Sequence, residues 1–343
     1  MGERMKIIID AMGGDNAPAE IVKGAVEAQK EFGVDITLIG IEEKVRECLA
    51  QFGGEVNEHI SVVNATEVID MHDEPSMACR RKKDSSMTVG LNLLSKGEGD
   101  AFISAGSTGA LLTGATLLVK RIRGIRRACF CPVIPNGDKG VVLIDCGANV
   151  DCTAEYLLQF AYMGSFYASA ISGVETPRVG LLNNGSEDTK GTELCKEAYA
   201  LLREAHEEGR INFVGNIEGG DVFTGKVDVI VTDGFTGNIL MKSIEGTAKF
   251  LMKKIKGLML ASLKNKLAAL VIKKDMGAIK SLLDPNEVGG TPFLGITKPV
   301  IKAHGSSNAR AIRSAVMQAI NIVENDISGK IADNIEYMKL RNE

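Results

Sequence analysis

The sequence predicts an α/β fold, in which a mostly parallel sheet carries helices on both faces. Two observations support this class. Short apolar runs alternate with helical segments along the whole chain, as in sheets whose parallel strands are joined by crossover helices. The chain has 343 residues, 45% of them hydrophobic, with 38 glycines and no tryptophan, which fits an aliphatic core with many tight turns. This length allows one α/β domain over residues 1–343, as a single unit or as two lobes.

The expected elements follow one another in a regular order. The apolar runs that predict strands are Lys6–Asp10, Ile36–Ile39, Ile60–Val63, Ala101–Ser104, Val141–Asp145, Arg178–Leu182, Ile211–Val214, Val227–Thr232 and Pro299–Ala303. Helical periodicity fills most of the gaps, for example at Ala19–Phe32, Leu194–Glu208 and Arg310–Asn325. We find no internal repeat and no long linker, so the sequence does not place a domain boundary.

Four strand ends carry similar turns, rich in glycine and hydroxyl residues, that open helices. They are IDAMGGDNAP (9–18), SAGSTGALL (104–112), TDGFTGN (232–238) and KAHGSSNA (302–309). In the first turn, Asp15 or Asn16 is the expected N-cap and Pro18 lies in the first helical turn. Glycine lets backbone N–H groups approach a bound group, and helix starts favour negative charge. Since ligands bind beyond the carboxyl ends of parallel strands, the turns predict an anion site that includes Lys302 and His304.

Purely structural roles for Lys302 and His304 remain open, and the composition excludes several classes of function. His304 could be a capping or core imidazole, and Lys302 a solvated strand end. The net charge of −4 argues against nucleic acid as a partner. Cys129 and Cys131 lack a second pair of ligands, so no metal is predicted. The sequence has no Walker A motif and no dinucleotide-binding signature, and we predict no cofactor.

Cysteine usage and hydropathy indicate the compartment. Seven cysteines, an odd number, without a visible secretory leader predict free thiols in a reducing compartment. Two uncharged stretches, Ala101–Val119 and Tyr156–Val174, approach the length of a membrane span. Their small and polar residues favour a strand, turn and helix for the first stretch, and a closely packed helix for the second.

Two basic clusters could meet an acidic partner, although a solvated charged face is an equal alternative. The first is Arg80–Lys83, which precedes the N-cap-like sequence Asp84-Ser85-Ser86. The second follows the SAGSTG segment and consists of Arg121, Arg123, Arg126 and Arg127.

Residues 246–275 are expected to form a lysine-rich amphipathic helical insertion. From Gly246 to Lys274 there are eight lysines and no acidic residue. On a helical wheel, one arc holds the apolar side chains Met259, Leu260, Leu263, Leu267, Leu270 and Val271. Such a stripe usually belongs to the core of a water-soluble fold. Flanking lysines without carboxylates fit better a helix on an anionic bilayer, or a docking site for an acidic protein.

Six motifs together resemble the PlsX family, the bacterial phosphate acyltransferases of phospholipid synthesis. In order, they are IDAMGGDNAP, DEPSMACRRKKDSS, SAGSTGALLTGA, LIDCGAN, TDGFTGN and PVIKAHGSSNA. The resemblance implies a Rossmann-like fold related to phosphotransacetylases and the isocitrate dehydrogenase group. It also implies a cytoplasmic homodimer, attached peripherally to the inner face of the cell membrane.

The activity implied is transfer of a fatty acyl group from acyl carrier protein (ACP) to inorganic phosphate. The acyl phosphate would then serve a membrane glycerol-phosphate acyltransferase in phospholipid synthesis. The alternative is a phosphate acetyl- or butyryltransferase that uses acyl-CoA. The lysine-rich segment favours the first reaction, because a soluble CoA enzyme has no use for it.

This reaction assigns roles to the turns, because phosphate must be desolvated and the developing oxyanion must meet donors. In our hypothesis Lys302 and His304 hold phosphate and Asn238 donates to the oxyanion. Asp233 orients His304 or Lys302, unless it is a simple turn aspartate. The candidate phosphate-binding residues are Gly13, Gly14, Gly106, Ser107, Thr108, Gly109, Gly234, Gly305, Ser306 and Ser307.

The remaining candidates concern partners and the acyl chain. The candidate ACP contacts are Arg80, Arg81, Lys82, Lys83, Arg123 and Arg126. The candidate membrane contacts are Leu260, Leu263, Lys264, Lys266, Leu267, Leu270 and Val271. For the acyl chain, we consider the apolar stripe near 258–272 and a dimer boundary.

Overall fold

The computed structural model describes residues 4–136, 139–272, 276–277 and 289–339, and its framework consists of two sheets. The strands of the first sheet are β1 (Lys6–Asp10), β2 (Asp35–Gly40), β3 (Ile60–Asn64), β4 (Ala101–Ser104), β5 (Cys129–Phe130), β11 (Gly290–Leu294) and β12 (Val300–Ala303). Those of the second are β6 (Val133–Ile134), β7 (Val141–Ile144), β8 (Arg178–Leu182), β9 (Asn212–Ile217) and β10 (Val229–Val231). Their spatial orders are β3-β2-β1-β4-β12-β11-β5 and β6-β7-β10-β8-β9.

The sheets are mostly parallel, which confirms the predicted fold class. Strands β3, β2, β1, β4 and β12 pair in parallel, as do β7, β10, β8 and β9. Antiparallel pairing is confined to β11, β5 and β6, towards one edge of each sheet. The sequence did not predict these three strands, because β5 and β6 have two residues each and β11 contains glycine and proline.

Helices cover the sheets, and the three helices predicted by residue range are confirmed to within one residue at each end. The described helices are α1 (Ala19–Phe32), α2 (Glu42–Gln51), α3 (Ala78–Arg81), α4 (Ser86–Lys96), α5 (Thr108–Gly114), α6 (Ala154–Ser172), α7 (Glu193–Glu207), α8 (Gly234–Leu260), α9 (Leu263–Val271), α10 (Ala309–Glu324) and α11 (Ile327–Asp333). A π-helical turn, Ala115–Lys120, continues α5, and two 3-10 turns occupy Gly219–Phe223 and Ile335–Met338.

The first helix starts differently from the prediction. Helix α1 follows Pro18 directly and has no side-chain cap, so the expected capping by Asp15 or Asn16 is wrong. The Asn16 side chain instead donates to the carbonyl oxygens of Ser306 and Ser307, at 3.1 Å each. It therefore joins the turn after β1 to the turn after β12, which are far apart in sequence.

Both uncharged stretches fold as expected. The first forms β4, the following turn and α5, and the second forms most of α6, where Phe160 and Tyr167 are fully buried. Within the described ranges, every helix is too short or too polar to span a bilayer.

The lysine-rich segment forms two helices, so the single helical wheel was wrong. Helix α8 ends at Leu260, and the Ser262 hydroxyl caps α9 by accepting from the Asn265 N–H at 3.1 Å. No residue of α9 is buried, and Leu263 is 80% exposed. The core alternative for this stripe is therefore also wrong for the described chain. Residues 273–275 of the expected insertion lie outside the described residues.

Candidate active site

A cavity of about 900 Å³ brings the strand-end turns of both sheets together. From the first sheet it is lined by residues of the turns after β1, β4 and β12. From the second it is lined by the turn after β7 and by the start of α8. The turn residues lining the cavity are Met12, Gly14, Asp15, Ala105, Gly106, Ser107, Thr108, Gly109, Cys146, Gly147, Ala148, Gly234, Phe235, Asn238, Lys302, Ala303, His304 and Gly305.

Lys302 is a buried cation in the wall of this cavity. Its side chain is 8% exposed, and Nζ donates to the carbonyl oxygens of Ala105, at 3.0 Å, and Ala303. Burial lowers the pKa of Lys302 to about 8, while the carboxyl groups of Asp10 and Asp15 act in the opposite direction. At neutral pH most Lys302 side chains therefore carry a positive charge with little water around it. Such a charge favours an anionic ligand.

His304 faces the cavity as a hydrogen-bonding group rather than a cation. Its Nδ1 accepts from the Ser306 N–H at 3.2 Å and lies 2.9 Å from Ser306 Oγ. Burial lowers the pKa of His304, and the charge of Lys302 lowers it further. The ring is therefore neutral at neutral pH. Because Nδ1 accepts a backbone N–H, the proton lies on Nε2, which can donate.

Several predicted phosphate donors are already used inside the protein. The Ser306 N–H donates to His304 Nδ1, and the Ser307 N–H donates to the His304 carbonyl at 3.0 Å. The Gly106 N–H donates to Ser104 Oγ at 3.0 Å. Neither Ser306 nor Ser307 lines the cavity, so the structure does not support the predicted cradle at these backbone groups.

The start of α5 offers better donors. Ser107 Oγ caps this helix by accepting from the Ala110 N–H. The first intrahelical bond runs from the Leu111 N–H to the Ser107 carbonyl, so the Thr108 and Gly109 N–H groups have no helical partner. Both residues line the cavity, in the turn that follows the strand next to β12.

Asp10 is a buried carboxyl that the sequence analysis missed. It accepts from Ser104 Oγ at 2.6 Å and from the Met12 N–H at 3.1 Å. Burial raises the pKa of Asp10, and the hydrogen bond from Ser104 opposes this shift. Gly13 packs directly over it, since a Cβ there would lie 2.6 Å from Asp10 Oδ2. An aspartate directly after three isoleucines was the available signal.

Asp145 has the corresponding position in the second sheet, after β7. Its carboxyl accepts from the Phe130 N–H at 2.7 Å and the Asn149 N–H at 2.6 Å, and burial raises its pKa. Gly234, at the start of α8, packs against this turn, because a Cβ there would lie 2.6 Å from Asp145 Oδ2. This contact fixes where α8 enters the cavity.

The two candidates on the TDGFTGN turn, Asp233 and Asn238, differ in their contacts. Asp233 is the N-cap of α8 and accepts from the Thr236 N–H at 2.8 Å and Oγ1 at 2.7 Å. It has no hydrogen bond or ion pair with Lys302 or His304, so the structure supports the simple turn aspartate. Asn238 lines the cavity near Gly147, whose Cβ would lie 3.6 Å from that of Asn238. Its amide bonds to no other described residue.

The cationic candidates are also divided between structural and free side chains. Lys82 pairs with Asp73 and donates to the Val68 carbonyl at 2.8 Å. Arg126 pairs with Glu155 at 2.9 Å. Arg80, Lys83 and Arg123 are exposed, and Arg81 is exposed but pairs with Glu74 at 3.4 Å.

The cavity also has an extended apolar wall. It includes Phe130, Val133 and Ile134 from β5 and β6, and Met241, Ile244 and Ala248 from α8. Residues 258–272, which we considered for the acyl chain, do not line it. Within the described ranges, histidine, cysteine and carboxylate side chains form no group of three that could hold a metal ion.

Comparisons with known proteins agree with the resemblance carried by the six sequence motifs. The family model described as "Fatty acid synthesis protein" matches residues 5–330. A phosphate acyltransferase from Oceanobacillus iheyensis is 47% identical over 97% of this chain and 98% of the relative. Phosphate acyltransferases from Clostridioides difficile and Lactococcus lactis are 45% and 46% identical, covering 99% and 97% of this chain and 98% and 99% of the relatives. The chain belongs to the phosphate acyltransferase family.

Solved structures confirm the fold of this phosphate acyltransferase family member. A phosphotransacetylase from Streptococcus pyogenes matches with a TM-score of 0.64 and 19% identity, covering 94% of this chain and 95% of that one. The EutD phosphotransacetylase from Staphylococcus aureus matches with a TM-score of 0.60 and 16% identity, with the same coverage. At such low identity the likeness shows a common Rossmann-like architecture.

Proposed function

We propose that this acyltransferase moves a fatty acyl group from ACP to inorganic phosphate, giving acyl phosphate and free ACP. One observation carries the proposal: a single cavity joins the buried Lys302 ammonium to a long apolar wall. Its volume of about 900 Å³ is far larger than a phosphate ion needs, and lies near the upper end of the ~300–1,000 Å³ typical of ligand sites. The names of the relatives support phosphate as the acyl acceptor.

The site residues act by binding and orienting the reactants. Phosphate lies between Lys302, the His304 Nε2–H and the N–H groups of Thr108 and Gly109. One phosphate oxygen attacks the thioester carbonyl carbon, and the Asn238 amide donates to the resulting oxyanion. The carbon–sulfur bond then breaks, and the electron pair leaves with the sulfur as a thiolate. No protein nucleophile is needed, because phosphate is already anionic and the thiolate leaves readily.

The chemistry is tested by following phosphate-dependent loss of thioester with purified full-length protein. We expect loss with palmitoyl-ACP, much slower loss with acetyl- or butyryl-CoA, and none without phosphate. Faster turnover of the short acyl-CoA substrates would favour the alternative phosphate acetyl- or butyryltransferase. The product should react with hydroxylamine, which distinguishes acyl phosphate from a hydrolysed fatty acid.

The first basic cluster supports ACP as the acyl donor. Lys82 ties this cluster to Val68, and Val68 lines the cavity. The exposed Arg80 and Lys83 therefore lie close to the route by which an acidic carrier would deliver its acyl chain. In the second cluster Arg126 pairs with Glu155, and Arg121 and Arg127 donate to the Arg126 carbonyl, while Arg123 is exposed and outside these contacts.

Reversing two charges tests this docking surface. The double variant Arg80→Glu, Arg81→Glu is expected to raise the KM for acyl-ACP about 5- to 30-fold at low salt, because attraction becomes repulsion. The effect should shrink at high salt, and kcat should stay near the wild-type value. Arg203→Glu, on α7 against the second sheet, is the matched control. An unchanged KM at low salt would exclude the cluster as the ACP contact.

We further propose that α9 and the end of α8 hold a homodimer on an anionic membrane surface. Leu263, Leu267, Leu270 and Val271 are each at least 66% exposed and no acidic residue interrupts the segment. Lys264 and Lys266 would face the lipid headgroups. Two copies in a dimer would bind more tightly than one through avidity. There the product reaches the membrane glycerol-phosphate acyltransferase of phospholipid synthesis.

Vesicle flotation tests the membrane contact. Leu263→Glu is expected to reduce binding to anionic vesicles about 10-fold or more, because it removes an apolar side chain that enters the bilayer and adds a charge that anionic lipid repels. Val214→Glu, an exposed apolar position on β9, should bind like the wild type. Equal flotation of Leu263→Glu and wild type would contradict the proposal. Equal binding of the wild type to neutral and anionic vesicles would also contradict it.

A further inference from the structure

The cavity extends along one helix, α8, which lines it over several turns. Beyond the first turn of α8, six of its positions contribute to the wall: Asn238, Met241, Lys242, Ile244, Glu245 and Ala248. With about 100° between successive residues, the three apolar positions fall on one edge of the helix and the three polar positions on the neighbouring edge. The cavity therefore follows α8, with an apolar side and a polar side.

The apolar edge faces other apolar groups. Met241 Sδ lies 3.5 Å from Cys146 Sγ. Met241 and Ile244 pack with Phe130 against the buried cluster that includes Ile134. On the polar edge, Lys242 and Glu245 pair with each other at 3.0 Å. The apolar edge thus offers a continuous surface for a hydrocarbon chain without an opposing charge.

We propose that the acyl chain lies along this edge with its carbonyl at Asn238, and that Ile244 and Ala248 determine the accepted chain length. The inference rests on the proposed function. At a rise of about 1.5 Å per residue, Ile244 lies about 9 Å and Ala248 about 15 Å from Asn238 along the helix axis. An extended chain with C–C bonds of about 1.5 Å advances about 1.25 Å per carbon. Ile244 therefore meets about the seventh carbon, and Ala248 about the twelfth.

The test compares butyryl-, decanoyl- and palmitoyl-ACP as substrates of two variants. Ile244→Trp is expected to lower kcat/KM at least about 10-fold for decanoyl and palmitoyl but not for butyryl, since apolar-pocket mismatches cost about 1–3 kcal/mol. Ala248→Trp should lower it for palmitoyl alone. Ser243→Trp is the matched control, because Ser243 is exposed on the opposite side of α8 and does not line the cavity. It should keep the wild-type chain-length profile.

The inference requires that Ile244→Trp excludes shorter acyl chains than Ala248→Trp does. Equal losses for all three substrates, or no change in profile, would overturn the inference, provided that thermal unfolding shows folded variants. If tryptophan prevents folding, Ala248→Leu provides the same comparison with a smaller obstruction. A wild type that turns over none of the three substrates with phosphate would overturn the proposed function itself, and this inference with it.

Discussion

Lys302→Met is expected to lower kcat/KM for phosphate roughly 30- to 5,000-fold, because truncating one partner of a buried charge pair costs about 2–5 kcal/mol. Methionine keeps the length of the side chain but not its charge. The free energy of unfolding should change by only about 1–3 kcal/mol, since two carbonyl hydrogen bonds are lost while a penalised buried ammonium is removed. Steady-state kinetics at several phosphate concentrations, with thermal unfolding, measure both quantities.

The pH dependence gives this prediction a second measurement. Because burial lowers the pKa of Lys302 to about 8, the ammonium form is lost as the pH rises through 8, and kcat/KM for phosphate should fall. Between pH 8 and the ordinary value of 10.5, the unfolded chain binds more protons than the folded one. Lys302 therefore makes the wild type more stable as pH rises across this window. Lys302→Met should lack both effects.

Lys298→Met is the matched control for Lys302. Lys298 donates to the Gly99 carbonyl at 3.1 Å, just before β12, and does not line the cavity. It should retain wild-type kinetics and the wild-type loss of activity at high pH. Near wild-type phosphate turnover in Lys302→Met would remove Lys302 from phosphate binding.

Asn238→Ala is expected to have the second large effect. Its kcat should fall about 100- to 1,000-fold. The Asn238 amide lines the cavity beside Gly147 and has no other described hydrogen-bond partner, so its removal takes a donor from the oxyanion without disturbing the fold. Because the interaction forms in the transition state, kcat should fall while the KM for phosphate changes little.

Ser243→Ala, on the far side of the same helix, controls for changes in α8. It should leave both constants unchanged. If Asn238→Ala lowers only the affinity for acyl-ACP, or lowers kcat less than about 3-fold, the oxyanion is stabilised by other donors.

The positions of the strand-end turns could be predicted from the sequence, because apolar periodicity and glycine-rich turns are local signals. It could not show which backbone donors are used within those turns. The Ser306 and Ser307 N–H groups are engaged by His304, and the Gly106 N–H by Ser104. These bonds are local, but which of them form depends on the conformation of each turn, so the free donors at Thr108 and Gly109 required the structure.

Other differences between the predicted and the observed structure have a tertiary origin. Asp10 is the last residue of a predicted strand, and the sequence does not show that neighbouring strands bury its carboxyl and connect it to Ser104. Strand β11 exists because it pairs with β12 and β5, although its own sequence contains glycine and proline. The break after Leu260 was detectable, since Ser262 is a good N-cap, but the helical wheel treated the segment as continuous.

The 27 residues of α8 make a rod about 40 Å long. One end presents Asn238 to the reactants, and the other reaches the solvent-facing leucines of the next helix. Under the proposed function, the chain of the mixed anhydride lies against the apolar edge of this rod as far as Ala248, while most residues from Lys249 onwards are exposed. The apolar wall would keep water from one side of the activated carbonyl, and so slow its hydrolysis for as long as the product stays in the cavity.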